Sequence, residues 1–447
     1  MLEGSIFKSI VLFAIPLILS NLLQLFYNAA DIIIVSQFAG SSAMASVGAT
    51  SSISNLIVNT CIGLSVGASV LVARRFGAGH SDGIHKAVHT SVLLSFYVGI
   101  FAMLIGIIFS SPLLKLMGTP QGKVLNGAVL YMQIYFLGIP ATMVYNFGAA
   151  ILRAVGDTKR PLYILSLTGI VNVVLNLIFV INFNMGVAGV ATATAIASYL
   201  SAIAVVMVLR RADGPYKLSM RKLKIYGKEL RECFTIGVPA GLQSSVFSLA
   251  NSVIQSAVNS FGTAAIAGCA AAANIEGFVY TAMNSFHHAT LTAVGQNYGA
   301  RNEKRMKKSI GIALICVVIV GIFLGTTTAI FSRPLLKIYI TDSEEAIKFG
   351  ITRIYWTCIP YFLCGVMGVL AGVLRGMGRT VVPAINSLIG ACGLRLFWIF
   401  FILPLKRSIS VLFLCWPASW IVVILMHSLY YLYIRKDISL ELKIQNI

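Results

Sequence analysis

A polar stripe runs along the first long hydrophobic segment of the chain, residues 6–38. At about 100° per residue its members share an arc of roughly 120° on one helix face, and the other faces carry Ile, Leu, Val and Phe. A carboxylate in a membrane helix is costly unless it faces protein, water or a partner, so Asp31 is a candidate for binding a cation in a cavity. The alternative is that Asp31 packs between helices and is held by neighbouring amides. The stripe consists of Ser20, Asn21, Gln24, Tyr27, Asn28 and Asp31.

The composition is that of a polytopic membrane protein. Of the 447 residues, 58% are hydrophobic and 11% are charged, and the mean hydropathy is +0.88. Soluble proteins carry about 25% charged residues, and repeated apolar runs of about 20 residues indicate transmembrane helices. We therefore predict an all-α membrane protein with about twelve transmembrane helices. The predicted spans are residues 6–38, 42–72, 87–110, 124–152, 161–183, 187–209, 231–259, 264–297, 309–332, 346–374, 381–404 and 409–434.

The net charge of +20 is distributed as the positive-inside rule requires. Most Lys and Arg residues fall in segments that are cytoplasmic if the N-terminus is inside, and Arg395 alone falls in the middle of a span. This predicts a multi-pass protein of the plasma or inner membrane with both termini in the cytoplasm. Its basic segments suit contact with an anionic lipid bilayer, and their distribution argues against nucleic-acid binding. The predicted outer segments contain Lys115, Lys123, Arg333, Lys337, Lys348, Arg353, Lys406 and Arg407.

The two halves of the chain resemble each other at an offset of about 222 residues. With six spans per half, both halves begin on the same side of the membrane, so the internal repeat is parallel. Transporters with such repeats bind their substrates at the interface between the lobes. We predict a six-helix lobe at 1–209, a basic cytoplasmic linker at 210–230 and a second six-helix lobe at 231–447. The matching pairs are Phe13-Ala-Ile-Pro16 and Ile236-Gly-Val-Pro239, Arg75-Phe-Gly-Ala-Gly79 and Asn297-Tyr-Gly-Ala-Arg301, Pro112-Leu-Leu-Lys115 and Pro334-Leu-Leu-Lys337, and Ile151-Leu-Arg-Ala-Val-Gly-Asp157 and Val373-Leu-Arg-Gly-Met-Gly-Arg379.

A second stripe lies in the eighth predicted span, where Glu276, Tyr280, Asn284 and His287 fall within about 80° of one helix face. Glu276 is the other carboxylate well inside a span, and a buried carboxyl group can take up and release a proton. The same oxygens can instead bind sodium, a hard cation that prefers oxygen ligands. Amides and hydroxyls alone often serve to hold membrane helices together. Arg395 is expected to pair with an acid or with backbone carbonyls, either structurally or as part of a substrate cavity.

Motifs for enzymatic chemistry are missing from the sequence. It contains no Walker A loop, no GxSxG and no HExxH, which argues against an enzyme and against an ATP-driven pump on this chain. The eight cysteines show no ligand spacing for a metal, so we expect neither a cofactor nor a metal site, apart from sodium at Asp31.

Several motifs resemble the multidrug and toxic compound extrusion (MATE) family across nearly the whole chain. They are Pro16-Leu-Ile-Leu-Ser-Asn21 followed by Tyr27-Asn-Ala-Ala-Asp31, Gly295-Gln-Asn-Tyr-Gly-Ala300, and the duplicated Leu-Arg-x-x-Gly. The resemblance implies a cation-coupled antiporter that exchanges protons or sodium for small organic, often cationic, compounds. It also implies that the protein is a monomer.

The resemblance further implies which residues couple the cation. Tyr27 and Asp31 fit the family's first-span pair, Asn172 fits the fifth-span Asn, and Thr194 fits the sixth-span Thr. Asn176 stands where the family often has a second Asp, which leaves the choice between proton and sodium open. The residues themselves, rather than the resemblance, give the candidates for the substrate cavity, which are Gln24, Asn28, Glu276, Tyr280, Asn284, His287 and Arg395.

Other functions remain as alternatives. A flippase for lipid-linked saccharides of the same superfamily typically has extra spans and a strongly cationic cavity. A passive channel has no need of a counter-ion, and the sequence lacks a carbonyl-filter motif. An accessory structural membrane protein is the simplest alternative, and the polar stripes argue against it.

Overall fold

The computed structural model describes residues 1–341 and 343–444, with side chains for all of these except 41, 52 and 440–444. Nine of its helices are long and apolar enough to cross a membrane, and two bent helix pairs raise the number of spans to eleven. The predicted span at 264–297 forms a single helix of 37 residues, Thr263–Gly299, which is not among these candidate spans. No strand occurs in the part of the chain that the structure describes. The all-α membrane fold is therefore confirmed.

The first half of the chain contains seven helices joined by short loops. A short 3₁₀ turn, Met220–Lys222, follows them in the predicted linker. The helices are α1 (Ile6–Ile34), α2 (Ser41–Gly77), α3 (Ser81–Leu116), α4 (Lys123–Leu137), α5 (Ile139–Ala154), α6 (Lys159–Leu177) and α7 (Gly186–Arg210).

The second half begins with the long helices α8 (Gly227–Asn259), α9 (Thr263–Gly299) and α10 (Glu303–Ile330). It continues with shorter helices and ends with the long helix α17. The helices are α11 (Ser332–Lys337), α12 (Glu344–Cys358), α13 (Tyr361–Gly376), α14 (Val381–Ser387), α15 (Leu394–Phe397), α16 (Ile409–Phe413) and α17 (Cys415–Ile444).

The chain divides into two compact units. The N unit is Leu19–Gly241, and the C unit is Met1–Ile18 with Leu242–Ile447. Each has its own apolar core, since α2, α3 and α5 pack together in the N unit and α9, α10 and α13 in the C unit. The lobe boundaries 1–209, 210–230 and 231–447 stay a prediction, and residues 342 and 445–447 of the last lobe lie outside the described residues.

The internal repeat is visible in where the helices break. α4 and α5 meet at an angle of 44° and α12 and α13 at 41°, at corresponding places in the two halves. Pro140 and Pro360 lie at these breaks. A proline favours a break because it removes a backbone donor and bends the helix. Pro16 and Pro239, in contrast, lie inside the continuous helices α1 and α8.

A repeated loop after α2 and after α9 requires a left-handed residue. Gly79 has φ of +68° and its counterpart Arg301 has φ of +56°. Glycine takes this conformation without strain, whereas an arginine is rarely found there. The geometry of the turn is therefore kept in both halves although only one copy has the favourable residue.

Four π-helical turns interrupt the spans within the described residues. They follow α1 at Val35–Ala39, follow α6 at Ile178–Asn182, and flank α15 at Leu388–Gly393 and Trp398–Ile402. Such turns are rare and are frequently found at functional sites. The first two come directly after the helices that carry Asp31 and Asn176.

Candidate functional site

The carboxylate of Asp31 on α1 contacts the side chain of Asn176 on α6. The amide nitrogen Nδ2 of Asn176 donates a hydrogen bond to Oδ1 of Asp31. Asn176 is fully buried, and its own oxygen Oδ1 has no hydrogen-bond partner among the described residues. A buried amide oxygen without a donor is unusual, because leaving it unsatisfied costs free energy. An unused acceptor therefore lies beside the carboxylate.

Two further polar side chains extend this contact to α7. Nδ2 of Asn176 also lies 3.4 Å from Oδ1 of Asn172, and Nδ2 of Asn172 lies 3.4 Å from Oγ1 of Thr194. Asn172 and Asn176 are one helical turn apart, so both amides point from the same face of α6. The structure thus brings together Asp31, Asn172, Asn176 and Thr194, a group that we call the Asp31 cluster.

Tyr27 lies one turn before Asp31 on α1 and contacts α6 at a different level. Its hydroxyl donates to the backbone carbonyl of Ser166 at 3.1 Å. The ring fits against Gly169, where a Cβ atom would lie 1.8 Å from Cε2 of Tyr27. Glycine at this position is what allows α1 and α6 to approach, and Tyr27 joins α1 to α6 near the Asp31 cluster.

An apolar layer borders the Asp31 cluster. It is formed by buried residues of the two π-helical turns and their neighbours, with Tyr131 packed against them. Surrounding apolar groups exclude water and strengthen electrostatic interactions. The layer consists of Ile34, Val35, Ala43, Val180 and Val190.

Gln24 and Asn28, the other predicted residues of the α1 stripe, are exposed side chains of the N unit. Their exposed positions differ from that of Asn176, which is buried. Both remain candidates for contact with a substrate.

Glu276 on α9 forms a buried ion pair in the C unit. Nη2 and Nε of Arg353 on α12 lie 2.8 Å and 2.9 Å from its Oε2 atom. Nη1 of Arg353 donates to the carbonyl of Cys269, and the guanidinium lies over the ring of Phe413. The charge count assigned Arg353 to an outer segment, although it falls near the start of the predicted span 346–374. Arg353 lies within α12 and is 9% exposed.

The other residues of the α9 stripe have different surroundings. His287 is buried, and its Nδ1 atom lies 2.7 Å from the carbonyl oxygen of Gly368 on α13. Tyr280 is half exposed and Asn284 is partly buried. The stripe therefore contains an ion-paired acid, an exposed phenol and a histidine bound to a neighbouring helix.

Arg395 has no acidic partner among the described residues. Its Nε atom donates to Oγ of Ser419 at 3.0 Å, and its guanidinium lies 4.2 Å from the ring centre of Trp416. The expected pairing with an acid or a backbone carbonyl is wrong, because a hydroxyl and an aromatic face satisfy the cation instead.

The sequence predicted Arg395 as the sole cation in the middle of a span, and the structure shows further buried arginines. Arg353 and Arg375 are buried too, at 9% and 8% exposure. The predicted tenth span ends at residue 374, but α13 continues to Gly376 and so includes Arg375. Glu276 and Tyr280 are four positions apart on one stripe, so spacing reveals that they share a helix face, but it does not reveal that Arg353 on another helix pairs with Glu276.

A polydentate metal site is not indicated by the described residues. Among them, no group of three or more His, Cys, Asp or Glu side chains is arranged to hold a metal ion. The Asp31 cluster combines one carboxylate with amide and hydroxyl oxygens.

Comparison with known proteins identifies the family. The MatE family model matches residues 16–178 and 239–401, two segments of equal length at nearly the offset that the sequence repeat predicts. The chain belongs to the MatE family. The double match also confirms the internal repeat.

Relatives in the MatE family are similar over almost the full chain. The probable multidrug resistance protein YoeA of Bacillus subtilis (strain 168) is 26% identical over 452 residues, which cover 99% of this chain and 97% of the relative. The probable multidrug resistance protein YpnP of the same organism is 27% identical over 416 residues, covering 93% and 90%.

The fold also matches a solved MatE structure. The structure described as the outward-facing conformation of a multidrug resistance MATE family transporter of the MOP superfamily aligns with a TM-score of 0.88 at 22% identity. The alignment covers 99% of this chain and 98% of the solved one. This chain is therefore a multi-pass membrane transporter of the MatE family.

Proposed function

We propose that this protein is a multidrug efflux antiporter, which exchanges a proton or a sodium ion for small organic, typically cationic, compounds. The observation that carries the proposal is the contact between Asp31 and Asn176. In this contact a carboxylate on α1 lies beside a neutral amide on α6, and both helices belong to the N unit at this point. The names of the similar Bacillus subtilis proteins and the outward-facing state of the solved neighbour support it.

Alternating access follows from a difference in ion affinity between two states. Asp31 binds the cation when it is accessible from outside, and the bound charge changes the contact with Asn176. The π-helical turns directly after α1 and α6 are places where the helices can repack. Coupling requires that the ion and the substrate prefer different states, because a ligand that binds both equally shifts neither.

Both coupling ions suit the chemistry of the Asp31 cluster. A protonated carboxyl group becomes a donor, and the buried Oδ1 atom of Asn176 is an acceptor without a partner among the described residues. By analogy with other hard cations, sodium prefers several oxygen ligands. Asp31, Asn172 and Thr194 supply such oxygens. The ion is then a transported substrate and no cofactor is required.

The test is export of a fluorescent organic cation from proteoliposomes, first under a proton gradient and then under a sodium gradient. We expect wild-type export to follow one gradient and Asp31→Asn to lose it. Asp82→Asn is the matched control, because Asp82 is an exposed acid of the same unit that pairs with Lys86. Export by Asp31→Asn equal to wild type contradicts the proposal. No wild-type export under either gradient favours a lipid-linked saccharide flippase, which a lipid-flipping assay then tests.

We also propose that both termini face the cytoplasm and that the protein acts as a monomer. The excess of Lys and Arg in the segments assigned to the inside supports this orientation. Ser5, an exposed residue just before α1, suits a single-cysteine variant. Labelling of Ser5→Cys by an impermeant thiol reagent only after the cells are opened is the expected result.

A further inference from the structure

A buried polar cluster surrounds Arg375 in the C unit. Its members come from α8, α9, α13, α14 and α17, and all are at least nine-tenths buried. This burial is unusual for so many polar groups, since buried polar atoms must find partners. The Arg375 cluster consists of Gln243, His287, Arg375, Asn386, Ser387 and His427.

The guanidinium of Arg375 has unused hydrogen-bonding capacity. Its Nη2 atom donates to Oε1 of Gln243. Its Nε atom is buried and has no acceptor among the described residues. The rings of His287 and His427 lie within electrostatic range of it. Arginine has five N–H donors, so an acceptor is missing at this point.

His427 connects Arg375 to two further polar side chains. Nδ1 of His427 lies 3.5 Å from Nδ2 of Asn386, and its Nε2 lies 3.5 Å from Oγ of Ser387. Both contacts are at the long end of hydrogen bonding. The amide and the hydroxyl can therefore turn to a stronger acceptor.

The cluster carries positive charge without a negative partner. No described carboxylate forms an ion pair with Arg375. Glu276 lies about three helical turns from His287 on α9 and is held by Arg353. A buried unpaired charge is strongly unfavourable, and the planar fork of arginine matches the two oxygens of a carboxylate or phosphate.

The first half of the chain shows that the repeat itself does not require these polar neighbours. Arg153 has the same place as Arg375 in the first Leu-Arg-x-x-Gly. Asn386, Ser387 and His427 are particular to the second copy, because Ile164, Leu165 and Val205 stand at the corresponding positions of the first. Gln243 and His287 have the shorter polar residues Asn21 and Ser65 as counterparts.

We propose that the Arg375 cluster binds an oxyanion, the carboxylate or phosphate group of an organic compound or of a free ion. The guanidinium donates to two of its oxygens, and the amide of Asn386 and the hydroxyl of Ser387 donate to them as well. Tyr280, which is half exposed and lies within electrostatic range of Arg375, marks a side from which the ligand reaches the cluster. That this ligand is an exported compound rests on the proposed function, whereas the binding itself does not.

Calorimetric titration of the full-length protein in nanodiscs of zwitterionic lipid tests the site without any transport. The probes are benzoate, its uncharged analogue benzamide, and inorganic phosphate. We expect benzoate to bind wild type and Arg153→Gln equally and benzamide to bind neither. Arg375→Gln should weaken benzoate binding at least about tenfold, because a charged hydrogen bond is lost.

His427→Val gives a second variant, which introduces the residue that the first half has. It should weaken benzoate binding about threefold while leaving Arg375 in place. Displacement of benzoate by phosphate supports the site and includes free ions among its ligands, and failure of phosphate to compete supports a site for organic carboxylates. Equal benzoate affinity in wild type and Arg375→Gln, or in wild type and His427→Val if Arg375→Gln does not fold, overturns the proposal. Equal affinity of the wild-type protein for benzoate and benzamide also overturns the proposal.

Discussion

Asp31 and Glu276 are both carboxylates on polar stripes inside helices, and they differ in what they touch. Asp31 accepts a hydrogen bond from the neutral amide of Asn176, whereas Glu276 is paired with the buried cation of Arg353. An incoming cation must displace Arg353 from Glu276 and leave a buried charge without a partner. A cation that binds Asp31 displaces no charged partner, because the partner of Asp31 is the neutral amide of Asn176. In the proposed mechanism, the partner of the acid, rather than its depth in a helix, decides whether the acid can take up a cation.

The largest effect is expected from breaking the ion pair of the C unit. Arg353→Met leaves Glu276 buried without its partner and should lower the free energy of unfolding by about 3–5 kcal/mol. Arg333→Met is the matched control, because Arg333 pairs with Glu344 at an exposed position where a salt bridge contributes about 0–1 kcal/mol. Thermal unfolding in detergent measures both.

A double variant separates pairing from packing in the same experiment. Glu276→Leu combined with Arg353→Met removes both charges, so it should recover much of the lost stability. If Arg353→Met unfolds at the same temperature as Arg333→Met, the ion pair is not the structural element described above.

The contact between α1 and α6 can be tested by a substitution that alters no charge. Gly169→Ala places a methyl group against the ring of Tyr27 and should cost about 1–3 kcal/mol by overpacking. Gly48→Ala, at a helical glycine with open space around it, should be neutral or stabilise by up to about 1 kcal/mol. Unfolding and export are measured for both. A Gly169→Ala protein as stable and active as Gly48→Ala shows that α1 and α6 do not approach as described.

Smaller, graded effects are expected within the Asp31 cluster. Asn176→Leu removes the direct partner of Asp31 and should lower gradient-driven export about tenfold, because a buried group is left unsatisfied. Within the cluster, Thr194→Val removes a contact at 3.4 Å, together with a hydrogen bond to the carbonyl of Val190 on its own helix, and should lower export about twofold. Initial export rates rank the two variants, and the reverse order contradicts the role given to Asn176.

Periodicity in the sequence was enough to predict the α1 stripe, the all-α membrane fold and the parallel repeat. These features are local, because a helix face and a duplicated motif can be read from spacing. Pro140 and Pro360 also fall at the bends between helices. Pro16 and Pro239, in contrast, lie inside continuous helices, so a proline alone does not predict where a helix breaks.

Contacts between distant segments could not be predicted. Glu276 and Arg353 are 77 residues apart, and Arg375 and Gln243 are 132 apart. A residue near the end of a span is easily assigned to a loop by its charge, as Arg353 was. The pairing of Asp31 with Asn176 came from the family resemblance and not from spacing.

The most direct test of the difference between the two acids compares driven export with substrate exchange at equal ion concentrations on both sides. Exchange requires substrate binding and the change of state, but no ion gradient. We predict that Asp31→Asn loses driven export and keeps exchange, and that Glu276→Gln keeps the response to the gradient with altered substrate affinity. Loss of the gradient response in Glu276→Gln, or its retention in Asp31→Asn, would contradict the assignment of Asp31 as the coupling residue.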